Sequence, residues 1–98
     1  MQNLINNLRD HLKYNVGLSG SVLENILRQA LESIECLSFG RILSEELTED
    51  EVDIYKELLD IDGEVDGYGF LKGVRPTEAD SLIQRFMTEE VNNFIRNC

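Results

Sequence analysis

The run Asp60-Ile61-Asp62-Gly63-Glu64-Val65-Asp66-Gly67-Tyr68 sets oxygen donors at alternating positions, as a calcium loop between two helices does. Counted from Asp62, the first, third and fifth ligand positions are Asp62, Glu64 and Asp66, and the sixth is the required glycine, Gly67. The back half fails. The twelfth position, where two carboxylate oxygens of a glutamate should close the site, is Gly73, and the eighth, usually a branched apolar residue, is Gly69. Starting at Asp60 puts Val65 in the glycine position and Leu71 at the end. Half a site implies no more than weak, roughly millimolar calcium binding. No metal and no other cofactor is expected.

Other reactive side chains are isolated. His11 is the only histidine and falls on the apolar stripe of its segment, with no second histidine or cysteine pair near it in sequence. It reads as a histidine at the edge of a core rather than as a base or metal ligand. Cys36 and Cys98 have no metal-type spacing and read as free thiols, with Cys36 on the outer side of its helix and without an activating neighbour. Asp80-Ser81-Leu82 resembles the phosphopantetheine-bearing triplet of acyl carrier proteins. In that family the serine opens the second helix with about half the domain to follow, whereas here only seventeen residues follow Ser81, so the carrier reading fails. Short helices seldom build the cleft that a pair of catalytic carboxylates needs. The expectation is a protein that is not an enzyme.

Charge carries more information. Between Glu45 and Asp66 the chain has eleven carboxylates against one cation, Lys56, and this local excess equals the whole net charge of −10. Residues 1–43 and 67–98 are each balanced, four acids against four bases. Such a field repels nucleic-acid backbones and anionic lipid, so neither direct nucleic-acid binding nor membrane binding is expected. It attracts cations and basic proteins.

The elements that must position these groups follow from periodicity. Leu4, Ile5, Leu8, His11 and Leu12 lie within about 120° of arc, which predicts an amphipathic helix over 2–14 where a leader peptide would need a continuous apolar stretch. Ser21 with Glu24 reads as a capping box opening a helix over about 22–38, with Leu23, Ile26, Leu27, Ala30, Ile34 and Leu37 as its stripe, a Glu24–Arg28 pair outside, and Gly40 as its end. Thr48 with Glu51 is a second capping box, for a helix over 49–60. On that helix Val52, Ile54, Tyr55, Leu58 and Leu59 share one side, and Glu49, Asp50, Asp53, Glu57 and Asp60 fill about 100° of the other. Glycines and the two hairpin-type Asp-Gly steps make 62–72 an irregular loop or a tiny β-ribbon. Pro76 and Thr77 read as the entry to a last helix over 78–97, either continuous or broken at Thr88, with Leu82, Phe86 and Phe94 inward.

The sequence therefore predicts one all-α domain over 1–98, a compact bundle of four to five short helices. No run of about 18 apolar residues occurs, and a cytoplasmic location is expected. The functional expectation is an acidic protein-binding module, an inhibitor or neutraliser that docks on a basic nucleic-acid-binding protein or nuclease. Small acidic helical proteins of phages and of toxin–immunity loci act so as nucleic-acid mimics; the parallel is one of charge and size alone. The partner-binding residues would be Glu49, Asp50, Asp53, Glu57, Asp60, Asp62, Glu64 and Asp66, with Tyr68 and Phe70 either as aromatic anchors beside them or as part of the core. Two alternatives are a module responding to divalent cations through the 60–66 carboxylates, and a homo-oligomeric assembly protein.

Overall fold

The computed structural model describes residues 2–97; the Cys98 thiol lies outside the described residues. Helix α1 (Gln2–Asp10) runs into a wider π-helical turn over His11–Val16, and the buried Leu4, Leu8, His11 and Leu12 form its inner edge. Helix α2 (Gly20–Glu45) is the longest element, about 39 Å at 1.5 Å per residue. Helices α3 (Glu49–Asp62), α4 (Gly67–Val74) and α5 (Ala79–Asn97) follow, and no strand occurs among the described residues. The architecture is the all-α bundle that periodicity predicts.

Helices α2 and α5 pack along each other and form the spine. Towards one end α1 lies against both, burying Leu8, Leu12, Leu27 and Ile34 with Met87 and Val91. Towards the other, Ile42 of α2 and Leu71 of α4 meet Ala79, Leu82 and Phe86 of α5. Ile83 packs against both clusters and joins them.

Several sequence expectations need correction. Helix α2 starts two residues earlier than a cap at Ser21 would allow: its N-cap is Ser19, and Glu24 reaches Arg9 at 3.4 Å rather than Arg28. It also continues through Gly40, because the fully buried Ile42 and the ion pairs of Arg41 lie beyond it. Those contacts outweigh the roughly 1 kcal/mol helical cost of a glycine. Ile26 and Leu37 are 37% and 57% exposed, outside the core. The buried row is instead Leu23, Leu27, Ala30, Ile34, Ser38 and Ile42. Ser38 is tolerated there because its hydroxyl donates to the Ile34 carbonyl at 2.7 Å.

The β-ribbon does not form. Gly63, at φ +74, ends α3 in the left-handed region, where it carries no side-chain penalty. Residues 64–66 are irregular and α4 follows. A methyl group at its first residue, Gly67, would lie 3.0 Å from the Phe39 ring, so a side chain there would need that ring to shift by a few tenths of an ångström. Helix α5 is unbroken at Thr88, whose hydroxyl donates to the Gln84 carbonyl instead of capping a new helix. It starts at Ala79, after a turn in which the amides of Glu78 and Ala79 both donate to the Arg75 carbonyl. Phe94, expected inside, is only partly buried.

Candidate interaction surface

Helix α3 opens as the sequence predicts. The Thr48 hydroxyl accepts from the Glu51 amide at 3.3 Å, and the Glu51 carboxylate accepts from the Thr48 amide at 2.9 Å. That carboxylate also takes a two-pronged bond from Arg75, with Nε at 2.8 Å and Nη2 at 2.9 Å. The Arg75 guanidinium chiefly, with the Thr48 amide second, holds the Glu51 carboxyl down at about 2. Arg75 further donates to Glu78 and to the Glu46 carbonyl, so one side chain ties the start of α3 to the segment between α4 and α5.

Beyond this clamp α3 is held lightly. None of its residues is buried, and Tyr55 is the main wedge, edge-on between Phe39 and Phe70 at centroid distances of 5.3 and 5.4 Å. Val52 and Tyr55 are half-buried, and Leu59, on the same apolar side of the helix wheel, is exposed. Ile54, Leu58 and Ile61 are exposed as well, and Ile61 is 78% open. On the helix wheel these three span about 60°, directly beside the arc of Glu49, Asp50, Asp53, Glu57 and Asp60. This stripe escaped the sequence reading because Ile54 and Leu58 share a broad apolar side with Tyr55. The aromatic wedge turns only one edge of that side inward.

Ion pairing separates the acids. Of the eleven carboxylates in 45–66, Glu45, Glu46 and Glu51 are paired, to Arg41, Arg85 and Arg75. Glu49, Asp50, Asp53, Glu57, Asp60, Asp62, Glu64 and Asp66 make no ion pair among the described residues, and Lys56 makes none either. All eight are exposed. No three potential metal-ligating side chains converge among the described residues, so the front half of the calcium loop is not gathered around a point. In its place Asp66 precedes α4 as N-cap residue.

The two aromatic candidates separate. Phe70 is buried, 7% exposed, and belongs to the interior, which corrects its assignment to the partner-binding surface. Tyr68 is 47% exposed, and its hydroxyl donates to Asp80 at 2.6 Å. Lys72 donates to the same carboxylate at 3.1 Å. The tyrosine bond and the ammonium together lower the Asp80 pKa. Ser81, of the carrier-like triplet, donates to the Glu78 carbonyl in the first turn of α5.

His11 is buried. Its Nδ1 hydrogen-bonds the Asn15 side-chain amide at 3.1 Å. Nε2 has no hydrogen-bond partner among the described residues. Cys36 is exposed. No helix among the described residues is long and apolar enough to cross a membrane. No protein-family model matches the chain, and no curated protein and no solved structure matches it significantly.

Proposed function

We propose that this protein is a non-enzymatic, cytoplasmic binding module that uses α3 to engage the basic surface of a nucleic-acid-binding protein or nuclease, inhibiting or neutralising it. The observation that carries the reading is the pairing of two features on and just beyond one lightly held helix: eight exposed carboxylates without ion pairs, six on α3 with Glu64 and Asp66 after its end, and the open Ile54–Leu58–Ile61 stripe. An acidic rim steers encounter, and a desolvated apolar strip supplies affinity. The spacing of the acids agrees with the class of partner. From Glu49 to Asp60 there are eleven rises of 1.5 Å, about 16 Å of helix, which carries five carboxylates in one arc. That is roughly one charge per 3–4 Å, against about 3.4 Å per phosphate along one nucleic-acid strand.

The test is affinity capture from lysate of the native host with salt-gradient elution. It compares the wild-type chain, the Asp53→Asn/Glu57→Gln/Asp60→Asn variant, and a Glu24→Gln/Glu32→Gln control on α2. A basic protein held by wild type and control, released by salt and lost by the triple variant, is the expected result. With that partner in hand, the triple variant should associate at least about tenfold more slowly at low salt, since long-range charge acts on the encounter rate. Equal retention by all three chains, or an association rate indifferent to ionic strength, refutes the reading.

A further inference from the structure

A groove of about 750 Å³ runs between α2, α4 and α5, with Tyr55 of α3 in its lining. Ile42, Ile83 and Met87 contribute apolar lining, and Phe39, Tyr55 and Tyr68 contribute aromatic rings. Its size and mainly apolar lining are those of small-molecule sites, which commonly measure about 300–1,000 Å³ and carry a few polar groups that orient the ligand. Here the charged groups all have one sign. Glu35, Asp66 and Asp80 line the groove, and no lysine or arginine does. Asp80 is already engaged by Tyr68 and Lys72, whereas Glu35 and Asp66 make no ion pair among the described residues.

We propose that this groove binds a free organic cation, a molecule with an apolar body and one ammonium or guanidinium head. Three aromatic rings beside two uncompensated carboxylates suit such a ligand, because a cation is attracted both to the ring faces and to the carboxylates. Among the groove's rings, Tyr68 already makes such a contact, with the Lys72 ammonium 5.5 Å from its centre. An anion would meet Glu35, Asp66 and a chain of net charge −10. A neutral ligand would cover the same apolar floor but gain nothing from the two carboxylates, which are exposed. The proposed occupant is a free molecule because the volume falls in the range of small-molecule sites. The proposal goes beyond the docking function of α3: Asp66 belongs to both surfaces, but the docking stripe Ile54–Leu58–Ile61 and the α3 carboxylates do not line the groove.

The test titrates the protein with naphthylethylamine, naphthylethanol and naphthylacetate, which share a ring and differ in charge, and follows backbone amides by heteronuclear NMR. The amine should shift the amides of Phe39, Gly67, Tyr68 and Ile83 and bind at least about tenfold more tightly than the alcohol, a difference of about 1.4 kcal/mol. The acetate should not bind measurably. In Glu35→Gln/Asp66→Asn the preference for amine over alcohol should disappear while alcohol binding stays, which also shows that the groove is still formed. Tyr68→Ala, at an exposed position, should weaken the amine more than the alcohol. The Asp53→Asn/Glu57→Gln/Asp60→Asn variant should bind the amine as wild type does, which separates this site from the acidic face. No binding by any probe, equal affinity of amine and alcohol, shifts centred on Asp53–Asp60, or indifference to Glu35→Gln/Asp66→Asn would each overturn the proposal.

Discussion

Removing the Glu51 carboxylate should loosen α3 in a way that acid reproduces. In Glu51→Ala the two bonds from Arg75 and the bond from the Thr48 amide are lost together, while the Thr48 hydroxyl keeps its bond from the residue 51 amide. An exposed ion pair contributes about 0.2–1 kcal/mol, and hydrogen bonds to charged groups contribute about 1.5–3. The clamp belongs between these ranges, because the Glu51 and Arg75 side chains are 16% and 26% exposed. With the lost half of the cap, the expected cost is roughly 2 kcal/mol. For a domain of this size that lowers Tm by about 8–16 °C. The pH dependence has a definite sign. An unfolded glutamate takes up its proton near pH 4.3, about two units above the folded value of about 2. The unfolded chain thus binds the proton more readily, and the contribution of Glu51 is complete above about pH 4.5 and fades as pH falls towards 2. Melts of wild type and Glu51→Ala followed by circular dichroism, differenced at each pH, cancel the remaining carboxylates to first order. The gap should be full at pH 6 and close on acidification. A gap under about 0.5 kcal/mol at pH 6, or one that persists undiminished near pH 2, would refute the assignment of this clamp.

Two further measurements address the interior. His11→Leu removes a buried ring nitrogen that has no partner and should raise stability by about 1 kcal/mol, or Tm by about 4–8 °C; a fall in Tm would mean that the Asn15 bond to Nδ1 outweighs the unpaired Nε2. Ile42→Ala should cost about 2–5 kcal/mol in chemical denaturation, whereas Leu37→Ala, at a position 57% exposed, should stay within about 0.5; the reverse order would contradict the facing of α2.

The legible parts of the fold were those where one local rule acts alone. The stripe Leu4, Leu8, Leu12 and the Thr48–Glu51 box need nothing beyond their own turns, and both stand where the sequence places them. Helix α2 was harder because its inner row passes through Ser38. A serine at that register is hidden from a hydrophobicity pattern, since its polar atom is satisfied inside the helix, and the pattern then chooses the neighbouring Leu37. Helix α4 was obscured by Gly67, Gly69 and Gly73, which read as breakers; its formation follows from burying Phe70 and Leu71 and from the close approach of Phe39 to Gly67, both long-range facts. At the candidate surface, the carboxylate arc of α3 was visible on the wheel. The exposed stripe beside it and the burial of Phe70 were not, because each depends on how Tyr55 seats against Phe39 and Phe70.

The distribution of bases argues that the acidic face is not there to hold the fold. Arg41 bonds Glu45 and Glu90 while stacking on Phe86 at 4.7 Å, Arg85 takes Glu46, and Arg75 takes Glu51 and Glu78. These arginines sit at the seams between helices. Asp53, Glu57 and Asp60 follow one another at helical spacings of four and three, where like charges destabilise a helix by about 0.2–0.5 kcal/mol per pair. Neutralising all three should leave the melting temperature unchanged or slightly higher, and the rise should shrink as added salt screens the wild-type repulsion. That outcome would make the triple variant a folded protein lacking only its charge, so that lost partner binding could not be ascribed to lost structure. A fall of several degrees would show instead that these carboxylates have partners in the fold, and it would remove the basis for assigning them to an interface.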